Sequence, residues 1–392
     1  MNKKILIIAG EPSADLFGAS LIKAILAKSP DIKFIGMGGE LMKAADADLY
    51  YDLGKISVIG FAEVIKKLPL YKKIFKDLSA KLDSEKPDAV ILIDYPGFNL
   101  SFAKEAKKKR IPVIYYISPQ VWAWHKSRIK TIKKLVDKML VLFEFEKDLY
   151  KQYGIDATFV GHPLVDVVKT TILDVGDRHA CPLRFGLDPA KKTIALLPGS
   201  RKTEVKKVLP VMLKSAEIIA EKQKNIQFII IKSSIVDRNI YEDIVGARCS
   251  VPLHIVDHDR YDAIACSDFA LVASGTATLE TAILGVPMAL VYKVSFLTWL
   301  LARILIKIPY IGLVNVVAGE KIIPEFIQFG ASPKKIAQEC TDIMQSPARI
   351  SKIKIALALV RKKLGPPGAS ANAASEVLAF LDSDNANPAA IR

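Results

Sequence analysis

Short runs of β-branched and other apolar residues alternate along this chain with longer stretches whose apolar positions recur at helical spacing. Such alternation is typical of βα units that build parallel sheets. One series of predicted strands covers residues 4–9, 33–37, 89–93, 112–117, 138–142 and 158–160, and a second covers 193–197, 227–231, 252–256, 269–272 and 288–291. The pattern predicts an α/β fold with two doubly wound, Rossmann-like domains that face each other across a cleft.

The two series are separated by a segment, 166–189, in which charged residues, Gly and Pro replace the strand rhythm. We therefore predict an N-terminal domain over 1–168 and a second domain over 185–345. Residues 346–392 are expected to form C-terminal helices that pack back on the N-terminal domain and end in a frayed tail. Because ligands of doubly wound sheets bind at the carboxyl ends of the strands, candidate chemistry is expected there.

Composition and charge narrow the class of partner. The chain has 392 residues, 51% of them hydrophobic, which is enough for two domains with buried cores. Its formal net charge of +15 indicates an anionic partner, either nucleic acid, an anionic membrane or a phosphorylated ligand. Because zinc-finger spacing, an RNP-type strand and an obvious helix-turn-helix are missing from the sequence, nucleic acid is not expected.

The cysteines and the apolar segments indicate the cellular compartment in which the protein is expected. The four cysteines are far apart and form no CxxC pair, which argues for a reducing compartment and for ordinary thiols rather than a disulfide framework. The apolar run at the N-terminus is too short for a signal peptide and is followed by Glu11 and Asp15. No stretch is an obvious membrane span, so a cytoplasmic protein is expected.

Two turns of the N-terminal series carry candidate site residues. Gly10 permits a tight turn after the first strand, and Ser13 or Asp15 can cap the next helix, although a plain turn is the alternative. Asp94 directly follows the third strand, where partial burial would raise its pKa and suit it to accept a proton. The alternative for Asp94 is an N-cap of the next helix.

A polar and aromatic cluster follows the fourth strand of this series. Trp122, Trp124 and His125 lie close together in the sequence and indicate a wall of a sugar or lipid pocket. Core packing could explain either tryptophan alone.

Two loops of the second domain suit a phosphorylated ligand. Gly199 and Ser200 offer backbone amides to a diphosphate, and Arg201 can fork onto its oxygens, with a bare turn as the alternative. After a later strand, a helix N-terminus is exposed to an anion by three small residues, Ser274, Gly275 and Thr276. One turn into that helix, Glu280 could accept hydrogen bonds from ribose hydroxyls, and a capped helix without ligand is the alternative.

Segment 293–310 is apolar, aromatic and basic at once, and the charges that interrupt it suit a helix lying in a membrane interface. The alternative is a buried helix with snorkelling cations. The expected membrane contacts are Phe296, Leu297, Trp299, Leu300, Arg303 and Lys307. The Asp-x-Asp stretches at 257–259 and 382–384 look like a turn and a tail, so no metal is expected in catalysis.

Nine segments in order make this chain similar to the lipid-A-disaccharide synthase family over almost its whole length. They are GEPSAD (10–15), GMGG (36–39), SVIGFAEV (57–64), IDYPGFN (93–99), YYISPQVWAW (115–124), FVGHPLVD (159–166), LLPGSR (196–201), ASGTATLE (273–280) and YIGLVN (310–315). Any one is weak, but nine in order are highly specific. One departure is Ala14, where the family usually has a second glycine.

The resemblance implies the GT-B fold and transfer of 2,3-diacylglucosamine, with inversion and without metal or cofactor. UDP-2,3-diacylglucosamine would be the donor and 2,3-diacylglucosamine 1-phosphate the acceptor, at the anionic cytoplasmic face of the inner membrane. It also implies that Asp94 is the base and that Asn315, with the LPGSR and SGTATLE segments, binds the UDP portion. Family members can form homodimers.

Two alternatives remain at this stage. A UDP-N-acetylglucosamine 2-epimerase would share the architecture and a UDP site but would need neither acyl pockets nor a membrane face. A peripheral membrane protein that binds nucleotide sugars without turnover would share the same charge and the same interfacial segment.

Overall fold

The computed structural model describes residues 3–52, 61–123, 127–169, 180–248, 251, 253–305 and 308–386. The chain forms two compact units, one made of Met1–Asp166 with Leu364–Arg392 and the other of Val167–Lys363. Each unit contains one parallel sheet whose strands alternate with helices. The predicted fold class, two doubly wound Rossmann-like α/β domains, is therefore confirmed.

The first unit has a seven-stranded sheet of order β3-β2-β1-β4-β5-β6-β7. Its elements in chain order are β1 (Lys4–Ala9), α1 (Pro12–Leu26), β2 (Lys33–Gly38), α2 (Glu40–Lys43), β3 (Ala47–Asp52), α3 (Phe61–Glu85), β4 (Ala89–Ile93), α4 (Pro96–Lys108), β5 (Val113–Tyr116), α5 (Arg128–Leu135), β6 (Lys138–Val141), α6 (Glu144–Gln152), β7 (Ala157–Phe159) and, at the boundary, α7 (Leu164–Val167).

The central strands of this unit are apolar throughout because both faces of the sheet are covered. All five residues of β4 are buried, as are the last five of β1. Side chains of α3, α4 and α5, among them Leu78, Phe102 and Ile132, complete the core on one face. The order of strands reverses between β1 and β4, which places the residues after Ala9 and Ile93 at the switch point of the sheet.

The second unit has a six-stranded sheet of order β10-β9-β8-β11-β12-β13, with its reversal between β8 and β11. Its elements are α8 (Ala180–Arg184), β8 (Lys192–Leu197), α9 (Lys202–Lys222), β9 (Ile226–Ile231), α10 (Arg238–Arg248), β10 (Leu253–Val256), α11 (Arg260–Ala265), β11 (Phe269–Ala273), α12 (Ala277–Ile283), β12 (Met288–Tyr292), α13 (Phe296–Leu305), α14 (Leu313–Ala318), β13 (Glu325–Ile327), a 3₁₀ turn (Gln328–Gly330), α15 (Pro333–Met344) and α16 (Pro347–Lys363).

The C-terminal segment departs from the predicted boundaries. The sequence predicts one segment over 346–392, whereas in the structure α16 belongs to the second unit and packs on α12 and α14. Only the last helix, α17 (Ala369–Ala386), belongs to the first unit, where it packs against α1. The Lys3 ammonium lies 3.0 Å from the Asp382 carboxylate, and residues 387–392 lie outside the described part. The C-terminal segment is divided between the two units because α16 and α17 each bury an apolar side against a different unit.

Strands β3 and β13 were missed by the sequence pattern. β3 is an edge strand with polar and tyrosine positions, and β13 has three residues, so neither carries a long apolar run. The prediction of ordinary thiols is wrong for Cys266, which is disulfide-bonded, because separation along the chain does not decide separation in space. Cys340 is a free, buried thiol. In the described part of the chain, no helix has the length and apolarity needed to cross a membrane.

Asp15 caps a different helix from the one expected. α1 has Glu11 as its N-cap without a side-chain capping bond. The buried Asp15 carboxylate instead accepts hydrogen bonds from the backbone N–H groups of Gly39 at 2.7 Å, Leu41 at 3.2 Å and Met42 at 3.1 Å. It thereby holds the start of α2 against α1.

We expect Asp15→Ala to lower the free energy of unfolding by about 2–3 kcal/mol, since two buried N–H groups and one partly buried N–H group lose a charged acceptor. Urea unfolding monitored by circular dichroism measures this change. The exposed Asp31→Ala variant is the control, and a loss no larger than in that control would contradict the capping role.

Candidate functional site

Asp94 lies at the end of β4 in an unusual backbone conformation. Asp94 and Tyr95 have φ angles of 47° and 44°, in the left-handed region that non-glycine residues seldom adopt. The Asn99 side-chain amide donates to the backbone oxygens of Ile93 at 3.1 Å and Asp94 at 2.7 Å, and the Tyr115 hydroxyl donates to that of Asp94 at 2.6 Å. These bonds stabilise the turn.

The Asp94 carboxyl is half-buried, and this burial raises its pKa to about 7. The nearby carboxylate of Glu11 acts in the same direction with a smaller effect. The next helix, α4, has Tyr95 as its N-cap and no side-chain capping bond, so the alternative of Asp94 as an N-cap is not observed. A carboxyl group with this pKa can accept a proton near neutral pH.

Gly10 is required by the packing of Tyr95. A β-carbon on Gly10 would lie 2.2 Å from Cδ1 of Tyr95, whose ring stacks on Phe98 at a centroid distance of 5.9 Å. Gly10 therefore brings the end of β1 against the Asp94 turn. Ser13 is half-buried in the first turn of α1, and Ala14 is fully buried there.

Trp122 is held by a carboxyl group that the sequence analysis did not identify. Its indole N–H donates to Glu146 at 3.2 Å, and its ring meets that of Phe145 edge-on at 5.6 Å. Glu146 also accepts from the backbone N–H groups of Leu142 and Phe143, both at 3.3 Å. Burial raises the pKa of Glu146 to about 8. Trp124 and His125 lie outside the described residues.

His162 is a second buried titratable group that the sequence analysis missed. Burial lowers its pKa to about 3, so the imidazole is neutral. Its Nδ1 accepts from the backbone N–H of Leu164 at 3.2 Å, and its ring contacts those of Phe17 and Phe143. Both groups could have been found from the sequence, because Glu146 and His162 each lie within a few residues of the end of a strand.

In the second unit, the loop after β8 is organised around Glu204. Gly199 has φ 114°, and a β-carbon there would lie 2.7 Å from Glu204 Oε2. The same oxygen accepts from the backbone N–H of Ser200 at 3.2 Å, and Nη1 of Arg201 lies 3.9 Å from Glu204 Oε1. Arg201 is the N-cap of α9 and half of its side chain is exposed.

The loop after β11 leaves open space beside its glycine. Gly275 has φ 134°, and a β-carbon on it would have no neighbour within 4 Å. The Ser274 hydroxyl lies 3.5 Å from the backbone oxygen of Ile311, so this loop lies beside the segment 310–315. Thr276 is the N-cap of α12 without a side-chain capping bond. Because β8 and β11 are neighbours, Arg201 and Gly275 leave the sheet at the same switch point.

Glu280 is buried in the first turn of α12 and already has partners. Arg260 donates to its Oε2 at 2.7 Å, and the Tyr261 hydroxyl lies 3.4 Å from its Oε1. Burial raises the pKa of Glu280, and the Arg260 charge opposes this shift.

The Asn315 side chain is engaged in hydrogen bonds within its own unit. It is fully buried, its amide N–H₂ donates to Ile323 and Glu325, and its carbonyl accepts from the backbone of Ile322 and Ile323, all at 2.9–3.0 Å. Glu325, which the sequence analysis missed, also accepts from the backbone N–H groups of Ile311 and Gly312. Asn315 therefore holds the loop rather than presenting a free group.

Helix α13 and the 3₁₀ turn Gln328–Gly330 together carry an apolar surface, which we call the aromatic patch and which consists of Phe296, Trp299, Leu300 and Phe329. Phe296 and Phe329 are 60% and 72% exposed. Trp299 contacts both of their rings, and the Arg303 guanidinium lies 5.4 Å from the Trp299 ring. The side chain of Leu297 and the whole of Lys307 lie outside the part of the chain that the structure describes. The exposure of this patch argues against the alternative of a buried helix.

Comparisons with known proteins identify relatives over almost the whole chain. A family model described as Lipid-A-disaccharide synthetase matches residues 5–376. The lipid-A-disaccharide synthase of Syntrophus aciditrophicus (strain SB) is 47% identical over 382 residues, 97% of this chain and 99% of that protein. That of Geobacter sulfurreducens is 41% identical, with 97% and 98% covered.

Among solved structures, the S. aureus MnaA–UDP co-structure has a TM-score of 0.65 at 14% identity and covers 97% of both chains. The UDP-GlcNAc 2-epimerase from Neisseria meningitidis bound to UDP-GlcNAc has a TM-score of 0.64 at 16% identity, with 96% of this chain and 100% of that chain covered. At these identities the likeness shows the fold alone.

The raised pKa of Asp94 predicts a pH-dependent stability. In the unfolded state an aspartate has a pKa of about 3.9, whereas in the folded state the pKa of Asp94 is about 7. Between about pH 4 and pH 7 the folded state therefore binds more protons than the unfolded state. The wild type loses stability as the pH rises through that window. Asp94→Asn should therefore be more stable than the wild type at about pH 8, by on the order of 2–4 kcal/mol, and nearly equal at about pH 4. Urea unfolding of wild type and variant at both pH values measures the difference in stability, with the exposed Asp156→Asn variant as control. A difference that does not depend on pH would refute the raised pKa of Asp94.

Proposed function

We propose that this chain, which belongs to the lipid-A-disaccharide synthase family and is a glycosyltransferase, transfers 2,3-diacylglucosamine from its UDP derivative to 2,3-diacylglucosamine 1-phosphate. The products are the lipid A disaccharide 1-phosphate precursor and UDP. The observation that carries the proposal is the half-buried Asp94 carboxyl, with a pKa of about 7, at the switch point of the first sheet. Identity of 47% to a named synthase over 97% of the chain supports the substrate class.

The loops after β8 and β11 are the proposed diphosphate site. The backbone N–H groups near Gly199, Ser200 and Gly275 can donate to phosphate oxygens, and the space beside Gly275 leaves room for them. Half of the Arg201 side chain is exposed, so its guanidinium can reach a diphosphate that binds at this loop. Ser274 and Thr276 line the same turn.

Glu280 and Asn315 act differently in this proposal. Glu280 can accept hydrogen bonds from the ribose hydroxyls in place of its weak contact with Tyr261, while Arg260 keeps its charge paired. Asn315 contributes indirectly, since its four hydrogen bonds hold the loop that lies beside Ser274.

The proposed reaction is a single displacement with inversion. The 6-hydroxyl oxygen of the acceptor forms a bond to the anomeric carbon while the bond from that carbon to the UDP oxygen breaks. Asp94 takes the hydroxyl proton as general base. Arg201 and the loop amides stabilise the negative charge that develops on the departing diphosphate. Trp122, held by Glu146, and the turn at Gly10 and Ser13 would line the acceptor pocket.

The aromatic patch is the proposed contact with the anionic cytoplasmic face of the inner membrane. Exposed aromatic rings with Arg303 beside them match a surface that lies in the lipid interface. Both substrates are acylated, so a membrane contact would bring the enzyme to them. An epimerase would need no such surface, and the whole-length family match argues against that alternative.

The decisive experiment combines purified protein with both acylated substrates and measures UDP and disaccharide. Release of UDP should require both lipids. UDP binding without turnover, or conversion of UDP-N-acetylglucosamine to its 2-epimer, would refute the proposed reaction.

Asp94→Asn should lower turnover by about 10²–10⁴-fold while UDP affinity changes little, because the variant keeps its shape but loses the proton acceptor. Wild-type kcat/KM should fall as pH drops below about 7, since protonated Asp94 cannot act as a base. Initial rates across pH measure both effects. Near-normal turnover of the variant would exclude Asp94 as the base.

Arg201→Ala should weaken UDP binding by about 1.5–3 kcal/mol through loss of a charge-assisted hydrogen bond. Titration calorimetry with UDP measures this loss. The control is Arg238→Ala, which removes an exposed arginine of the same unit that pairs with Glu242 and Asp257. Equal UDP affinity in the two variants would contradict the diphosphate assignment.

A further inference from the structure

A cavity of about 550 Å³ on the second unit is lined by four lysines that the proposed reaction does not use. We call it the lysine groove; Lys206, Lys207 and Lys214 come from α9, and Lys293 follows β12. Lys207 and Lys214 are separated by about two turns and Lys206 directly precedes Lys207, so the three α9 lysines lie within an arc of about 100° around the helix. Val211 and Pro333 add apolar surface to the lining.

The positive charge of the lysine groove is poorly balanced. Lys214 lies 2.8 Å from the Glu217 carboxylate. Within the described ranges, Lys206, Lys207 and Lys293 form no ion pair with an acidic side chain. Ammonium groups gathered around one concavity focus a positive potential, and an anion with several negative oxygens relieves their mutual repulsion. The chemistry of the groove therefore suits phosphate groups.

A hydrogen-bonded contact connects the segment that carries Lys293 of the lysine groove to the segment that carries Phe329 of the aromatic patch. The backbone N–H of Val294, next to Lys293, donates to Gln328 at 3.2 Å, and the Gln328 side-chain amide donates back to the Val294 oxygen at 3.3 Å. Gln328 directly precedes Phe329, whose ring lies 6.4 Å from that of Phe296. The groove and the exposed rings are thus joined through one short, doubly hydrogen-bonded contact.

We propose that the lysine groove binds the phosphates of anionic phospholipid headgroups while the aromatic patch lies in the lipid interface beside it. Flexible lysines act as point charges and suit several mobile headgroups, whereas bidentate recognition of one fixed diphosphate favours arginine. Apolar rings next to a basic cluster form the two-part surface that anionic bilayers attract. This inference rests on the proposed function only in that the substrates are membrane lipids.

Vesicle sedimentation without substrates tests the proposal. The triple variant K206Q/K207Q/K293Q should bind vesicles containing phosphatidylglycerol about 100-fold more weakly than the wild type, at about fivefold per lysine. Its binding to phosphatidylcholine vesicles should change little. The matched control K352Q/K354Q/K362Q removes the same charge from exposed positions of α16 and should lose much less. Phe329→Ser should weaken binding to both kinds of vesicle.

Several results would overturn the proposal. The lysine groove is not a headgroup site if the triple variant binds phosphatidylglycerol vesicles as tightly as the wild type does. The same conclusion follows if the α16 control variant loses as much vesicle affinity as the triple variant. Weaker UDP binding by a triple variant with normal thermal unfolding would assign the groove to the nucleotide. A wild-type dimer that dissociates in the triple variant would assign it to a second copy of the chain.

The glycosyl transfer is measured separately, with both acylated substrates in detergent micelles. Equal UDP release by the wild type and the triple variant is expected there. If the wild type releases no UDP, the proposed function fails while the vesicle result still decides the headgroup site.

Discussion

Both sheets reverse their strand order at one pair of neighbouring strands, and the candidate loops depend on that reversal. The pairing of β1 with β4 places Gly10 beside Asp94, and the pairing of β8 with β11 places the Arg201 loop beside Gly275. In a doubly wound sheet the helices that follow two such strands pack on opposite faces, so their loops diverge and leave a crevice. Backbone groups in such a crevice remain available to a ligand.

The first crevice is shaped by a strained turn. Two successive non-glycine residues in the left-handed region are unfavourable by about 1–3 kcal/mol each, so the surroundings must stabilise them. Asn99 and Tyr115 do so through three hydrogen bonds to the backbone, and Gly10 leaves room for the Tyr95 ring. The turn directs the Asp94 carboxyl into a half-buried position, and its raised pKa is a direct consequence of that geometry.

Charge is distributed unevenly between the interior and the surface of this chain. Burial favours the neutral forms of Asp94, Glu146 and His162, so near neutral pH Glu146 and His162 are mostly neutral and Asp94 is about half ionised. The net charge of +15 therefore belongs mainly to the surface, and part of it is gathered in the lysine groove. A site that moves a proton benefits from a neutral interior, while a membrane-facing surface benefits from excess positive charge.

The sequence predicted the structure correctly where a single apolar run or a single residue type determines the local fold. The central strands followed from apolar runs buried on both faces, and the turns at Gly10, Asp94, Gly199 and Gly275 followed from their position after those strands. The edge strands β3 and β13 were missed because they lack such runs. The part of Asn315 in UDP binding stays a prediction, because a motif position does not distinguish a side chain that contacts a ligand from one that holds a loop.

The residues that sequence analysis missed share one physical role. Glu146, Glu204 and Glu325 each accept hydrogen bonds from backbone N–H groups of a loop near the sheet edge. A carboxylate and a phosphate compete for the same donors, because both present negatively charged oxygens. Glu325 and Glu146 are tied to other side chains, Asn315 and Trp122, and so keep their loops in place. In the proposed diphosphate site, Glu204 is the member of this group whose place a phosphate would take, because it holds the backbone N–H of Ser200.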